Sequence, residues 1–322
     1  MEVGSEWSDR SKRLLKITQI NESVFLRDLK ARGIWLRTGP FQIHVQSPIP
    51  LLGRAIHLLY GDFPVVENPE FADFHIQFRE PNYFRRFFRP RVHFYFDDHM
   101  PFRPLPGDHA FAMFEWCVNW CIESQANHYL MMHAAIVEHD GFAAILAAPP
   151  GSGKSTLTAG LVNRGWRLLS DELTLIDPND GTAIPMARPI SLKNESIDVV
   201  RDFVSGAVLG PIATDTVKGA VSHLKPPTDS VERVEQRAVP RWVIFPRFEA
   251  GMPVSLSPYP KARALLRLAD HAFNYSQYGT KGFEIMAELI DRCDAYEFTY
   301  SHLEDAISVF ESLCVEHVGT VA

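Results

Sequence analysis

The residues best suited to chemistry lie in the run Ala148-Pro149-Pro150-Gly151-Ser152-Gly153-Lys154-Ser155-Thr156. Glycines at 151 and 153 can take backbone angles that aim successive N–H groups at one point. Phe142 to Ala148 is a short apolar run that suits a buried strand, and a helical pattern starts at Ser155. Strand, glycine loop and helix are the context of a phosphate-binding loop, in which the positive end of the helix faces an anion. Pro150, Gly151, Ser152 and Gly153 would cradle ATP or another nucleoside triphosphate. Lys154 would reach the β- and γ-phosphates, Ser155 would hold Mg2+, and Thr156 would add a contact to the α-phosphate. The usual pattern, G-x-x-x-x-G-K-[ST], begins with glycine, whereas this chain has Ala148. Alanine fits there if its φ stays negative.

A second group follows the loop. Trp166-Arg167-Leu168-Leu169-Ser170 reads as a strand that delivers Asp171 and Glu172 at its end. One carboxylate can orient magnesium while the other accepts a proton from an attacking hydroxyl. A solvated turn is the plainer reading of the same pair. The segment His133-Ala134-Ala135-Ile136-Val137-Glu138 reads as another strand, and Asp140-Gly141 marks a hairpin into the loop's own strand. The loop strand therefore has an antiparallel neighbour before it. His133 is either a satisfied core histidine or part of the site.

These residues need a scaffold, and the chain is long enough to supply one. Its 322 residues suit one large or two moderate domains. Residues 1–108 read as an N-terminal α+β domain, with alternating strands at Ile34-Trp35-Leu36, Phe41 to Val45, Phe74 to Phe78 and Val92 to Phe96 and a helix from Leu51 to Tyr60. Residues 109–322 read as the P-loop catalytic domain, starting with a broad apolar helix from about His109 to Tyr129. Helical spacing recurs at Leu265 to Tyr275, Gly282 to Arg292 and Leu303 to Leu313. Between Asn82 and Arg91, four arginines interleave with phenylalanines, which suits either phosphate or single-stranded nucleic acid, or a solvated hairpin edge.

A net charge of −7 argues against a general nucleic-acid binder. Cys117, Cys121, Cys293 and Cys314 form no CxxC pair and read as buried thiols of a reducing compartment. No apolar run reaches the ~18 residues that would span a bilayer. With no signal-peptide pattern at the N-terminus, the expectation is a cytoplasmic protein without membrane contact.

His133, then Gly151-Ser152-Gly153-Lys154-Ser155, then Asp171-Glu172 resembles the catalytic domain of bacterial HPr kinase/phosphorylase. The likeness runs from about His133 to Asp177 and includes Leu161-Val162-Asn163-Arg164-Gly165-Trp166-Arg167-Leu168-Leu169. It implies an α/β fold: a phosphoenolpyruvate carboxykinase/HPr kinase-like P-loop core of mixed sheet and helices beside the smaller N-terminal domain. It implies Asp171 as general base toward a serine hydroxyl. It implies His133 beside that base, where an imidazolium would favour the charged carboxylate. Glu172 stands where the family has aspartate and is assigned with Ser155 to the metal. Arg263, in Pro260-Lys261-Ala262-Arg263, falls where the family carries a phosphate-directed arginine. The family's acidic residue followed by Arg-Gly-Leu-Gly is absent, and Pro189-Ile190-Ser191-Leu192-Lys193-Asn194-Glu195 stands in its place. Lys193 can there balance charge on the γ-phosphoryl group. The stretch Thr214 to Pro227, with Lys218, His223 and Lys225, reads as a lid or acceptor-binding loop.

The expected activity is ATP- and Mg2+-dependent transfer of a γ-phosphoryl group to a hydroxyl. The acceptor is expected to be a serine of a protein or peptide, and the resemblance leaves a homo-oligomer open. The alternatives are a small-metabolite kinase on the same fold and a nucleotide-gated binding protein with little turnover.

Overall fold

Strict alternation of buried residues builds the first sheet. Ile34–Thr38 and Phe41–Gln46 bury every second side chain and pair antiparallel. Phe74–Arg79, Arg91–Phe96 and Leu105–Pro106 extend the sheet to five strands in that order. In the computed structural model, which describes residues 15–66, 71–81 and 90–320, three helices bury their apolar sides against this sheet. They are Glu22–Ala31, Pro50–Leu59 and Ala110–Gln125. The last is shorter than its apolar pattern predicts, and its Phe111, Phe114, Val118 and Ile122 lie in the same core as Ile43, Ile76 and Phe94. That core continues into Met131, Leu173, Leu175 and Met186 of the following half. The basic-aromatic stretch falls at residues 82–89, outside the described residues, apart from the exposed Arg91.

The second sheet has six strands, in the order Ser255–Pro258, Asp294–Tyr300, Val239–Phe248, Phe142–Leu146, Ala135–His139, Arg167–Ser170. Phe142–Leu146 lies between a parallel neighbour, Val239–Phe248, and an antiparallel one, Ala135–His139. The hairpin between the antiparallel pair turns at Asp140 and Gly141, at φ 50° and 86°. Positive φ at both positions makes Asp-Gly the right sequence for it. The central strands Ala135–His139 and Phe142–Leu146 are buried on both faces, which is why they read as continuous apolar runs. On one face, Leu157, Leu161, Ile197, Ile307 and Phe310 pack against Val137, Ala144 and Leu146. On the other, Ala264, Leu268, Ile285 and Leu289 pack against Ile136, Ala143 and Ile145. The result is a mixed α/β layered core with helices on both sides.

Four details differ from the sequence reading. His133 is not in a strand: Leu130–Met132 ends before it, and Ala135–His139 starts after it. The stretch after Glu172, which reads as continuing from Leu173 to a turn at Pro178 to Gly181, forms a strand of its own at Thr174–Ile176. It leaves the main sheet and pairs with Leu130–Met132 and Ala183–Ile184. The helix placed at Leu265 to Tyr275 runs instead over Lys261–Ala269. The stretch from Thr214 is no open loop, because Ala213–Thr216 and Gly219–Leu224 form a hairpin that pairs with Ile190–Lys193.

Candidate functional site

The buried strand Phe142–Leu146 ends at the loop, and Ala147 N–H donates to the Ile244 carbonyl at 3.0 Å, holding the loop's entrance to the sheet. Ala148 is buried and is not among the described residues with positive φ, so the missing first glycine costs the backbone nothing. Gly151 and Gly153 have φ of 86° and 85°, a region closed to most L residues. Gly153 also packs tightly: a Cβ there would meet Tyr300 Oη at 2.4 Å and Phe248 Cβ at 2.8 Å. Tyr300 Oη donates to the Gly153 carbonyl at 2.8 Å, and Phe248 N–H donates to the Ser152 carbonyl at 2.8 Å. The neighbouring parallel strands thus brace the loop. Helix Lys154–Val162 starts at Gly153 with no side-chain cap, which leaves its first N–H groups open to an anion.

Asp171 and Glu172 lie beneath the helix start, in very different settings. Asp171 is 5% exposed. Its Oδ2 accepts from Ser155 Oγ at 3.0 Å and from Ser191 N–H at 3.3 Å. Its backbone carbonyl accepts from Lys154 Nζ at 2.5 Å. Oδ1 is buried without a partner and faces a small space that Glu115, Arg188, Ser191 and His223 also line. Burial, aided by the charge of Glu172, pushes the Asp171 carboxyl up and outweighs Lys154. Glu172 is pushed the other way. Burial would raise it, but Lys193, Lys154 and Lys218 together hold it below its ordinary range. Two adjacent carboxylates therefore have opposite protonation tendencies, which is how acid–base and purely charged roles separate.

Glu172 opens onto a cleft of about 990 Å³. Pro150, Gly151, Ser152, Gly153, Lys154, Ser155 and Thr156 line it, as do His133 and Lys193. The structure therefore brings the expected phosphate residues, the histidine and the lysine together, with Asp171 one hydroxyl behind the cleft surface. Lys193 Nζ stands 4.0 Å from Glu172 Oε1. Lys218 joins the cleft from the hairpin tip. Lys225 does not, because it pairs with Asp62 at 2.9 Å. His223 is buried behind the site, and burial pushes it down to about 4. Arg263 is exposed on helix Lys261–Ala269 and lies outside the residues that line the cleft. The turn after that helix does approach the site: the His271 carbonyl accepts from His133 N–H at 2.7 Å.

His133 does not serve as an imidazolium for Asp171. Burial and the nearby Lys154 charge push it down to about 4, and the carboxylate it influences is Glu172. Near neutral pH it is an uncharged donor or acceptor on the cleft wall. Among the described residues, no cluster of three His, Cys, Asp or Glu side chains could hold a metal alone. Magnesium rarely requires such a cluster, since it takes one or two carboxylates together with phosphate oxygens and water. Ser155 and Glu172, with Asp171 bonded to Ser155, supply that kind of partial donor set.

A set of residues that sequence reading missed supports Glu172 from behind. Asn119 Nδ2 donates to Glu172 Oε2 at 2.7 Å, and Arg188 donates to Asn119 Oδ1. Arg188 also pairs with Glu115 at 3.5 Å, and Glu115 accepts from Tyr60 Oη at 2.7 Å. The only sequence signal was polar residues, Glu115 and Asn119, inside an otherwise apolar helix.

No family model matches the chain. A curated protein, HPr kinase/phosphorylase of Chloroherpeton thalassium (strain ATCC 35110 / GB-78), is 28% identical over 129 residues. The match takes in 39% of this chain and 36% of that relative, so it spans about a third of the relative's length. Among solved structures, the Hpr(Ser) kinase/phosphatase from Coxiella burnetii aligns with 59% of this chain and 97% of its own at 11% identity. Its TM-score of 0.26 is too low to bear on the fold or the site. In sequence, the chain is HPr kinase-like.

Proposed function

We propose that this HPr kinase-like chain is an ATP- and magnesium-dependent phosphotransferase acting on a hydroxyl, with a serine of a protein or peptide as acceptor. The observation that carries the reading is the carboxylate pair at the phosphate loop, with Asp171 pushed up and Glu172 held down. A raised aspartate is the better proton acceptor, and a carboxylate that stays charged is the better metal ligand. In this reading the core is phosphoenolpyruvate carboxykinase-like, and residues 109–322 form its catalytic unit.

Each residue has a role. Gly151 to Gly153 and the start of helix Lys154–Val162 bind the phosphates through backbone N–H groups. Lys154 and Thr156 add side-chain contacts. Ser155 and Glu172 would hold magnesium, which would draw charge from the phosphates and so lessen their repulsion of an attacking oxygen. Asp171 takes the acceptor's hydroxyl proton, and Lys193 balances charge on the phosphoryl group. Arg263 would have to reach the cleft by movement of its helix or from another copy of the chain. HPr, named in both relatives, is the first acceptor to try.

One observation favours exchanging the carboxylates' roles. Glu172 lines the cleft, whereas Asp171 Oδ2 is held behind it by Ser155 and Ser191. In that version Glu172 takes the proton, and Asp171 orients Ser155. Incubation with labelled ATP, HPr and other serine-bearing polypeptides tests both. Asp171→Asn should lower the rate of transfer by at least ~1000-fold with nucleotide affinity nearly unchanged. Transfer at the wild-type rate by Asp171→Asn, lost instead in Glu172→Gln, would reverse the assignment.

A further inference from the structure

The proposed transfer needs positive charge opposite the phosphate loop, where negative charge on the moving phosphoryl group is stabilised. The sequence reading gave this task to Arg263 and Lys193. Arg263 is outside the cleft, and the lysines that line it are Lys154, Lys193 and Lys218. Lys154 Nζ is engaged by the Asp171 carbonyl, and Lys193 faces Glu172. Lys218 Nζ forms no ion pair within 4 Å among the described residues, although its charge helps hold Glu172 down, and it lies 5.6 Å from the centre of the Trp116 ring.

The hairpin that carries Lys218 is shaped to hold it there. Its turn is closed by Thr216, whose Oγ1 donates to the Gly219 carbonyl at 2.6 Å and accepts from Lys218 N–H at 3.0 Å. Asn194 grips the same tip. Its Oδ1 accepts from Ala220 N–H at 3.0 Å, and its Nδ2 donates to the Lys218 carbonyl at 3.3 Å. Asn194 does this at φ 53° and ψ −127°, outside the left-handed helical region and strained for any residue with a side chain. Gly219 fits only as glycine: its φ is 81°, and a Cβ would meet Asn194 Oδ1 at 2.1 Å. Asn194 directly follows Lys193, so a single residue ties together the backbone segments that carry the two lysines. Two like charges held together beside one carboxylate form a site for a polyanion.

We propose that Lys218 is a phosphate-binding residue that clamps the terminal phosphate of the nucleotide together with Lys193. It thereby supplies the second cation expected of Arg263. The inference rests on the kinase reading for its purpose, but its test needs only nucleotide binding.

Dissociation constants for ATP and ADP, each with magnesium, are measured for the wild type, Lys218→Met, Lys218→Arg and Gly219→Ala. The wild type should favour ATP. Lys218→Met should weaken ATP binding about tenfold and change ADP binding less than about twofold, as loss of one charged contact to the terminal phosphate would. Lys218→Arg should keep most of the preference. Gly219→Ala should reduce it while keeping the lysine, because the new Cβ displaces the tip. An ATP-to-ADP ratio unchanged in Lys218→Met overturns the inference and leaves the kinase reading standing. A wild type that binds neither nucleotide overturns both.

Discussion

At the scale of single residues, the site separates into what a contiguous motif reveals and what only folding assembles. Gly151, Gly153, Lys154 and Ser155 stood out in the sequence because a phosphate-loop pattern is contiguous, and the fold sets them together on one cleft wall. Asp171 and Glu172 were legible as a pair, but their opposite protonation tendencies were not. These arise from the burial of Asp171 and from lysines 193 and 218, which lie far off in sequence. The charge of His133 was out of reach of the sequence for the same reason, since burial and the Lys154 charge push its pKa down. The Asp171 shift has a kinetic consequence. If Asp171 is the base, transfer requires its charged form, so kcat/KM rises with pH through its pKa. The acid limb should fall above pH 4, the ordinary aspartate range, because the pKa is raised. A pH–rate profile under saturating magnesium checks this, and a limb below pH 4 would remove Asp171 from the role.

At the scale of elements, strong local signals were reliable, and pairing was not. The Asp140-Gly141 hairpin, the loop strand and the helix after it follow from turn chemistry and apolar pattern. The two small sheets do not. Thr174–Ile176 pairs with Leu130–Met132, more than forty residues earlier, and Ile190–Lys193 pairs with Gly219–Leu224, beyond a whole helix, and nothing local chooses those partners. The bracing of the glycine loop is likewise nonlocal, since Phe248 ends the parallel strand next to the loop's own and Tyr300 ends the strand beyond that. Gly153→Ala should therefore fail twice over, through strain at positive φ and through collision with Tyr300 and Phe248. A cost of roughly 2 kcal/mol or more in urea unfolding is expected, with loss of nucleotide binding. Tyr300→Phe removes only the hydrogen bond to the Gly153 carbonyl and should cost about 1 kcal/mol.

At the scale of the whole molecule, a buried polar path joins the end of helix Pro50–Leu59, which packs on the N-terminal sheet, to the site. It runs from Tyr60 through Glu115, Arg188 and Asn119 to Glu172. Breaking it at Asn119 strips a partner from both Arg188 and Glu172, so Asn119→Ala should destabilise the fold by about 1–3 kcal/mol. Glu115 gives the path a pH dependence. Burial pushes its carboxyl from 4.5 up to about 7, against the pull of Arg188 and the Tyr60 hydroxyl. A raised carboxyl pKa means that the folded state binds the proton more tightly than the unfolded state. Its contribution is thus fully present below about pH 4.5 and is lost as pH rises toward 7. The loss amounts to about 3 kcal/mol. Wild-type stability alone would hide it. His133 and His223, pushed down to about 4, gain stability with rising pH across an overlapping window. The difference between the wild type and Glu115→Gln isolates the term, because both histidines are common to the two proteins. Measured by urea unfolding between pH 4.5 and 7.5, the variant should gain on the wild type as pH rises. A difference that stays flat across this range would mean that Glu115 titrates in the fold as it does in water.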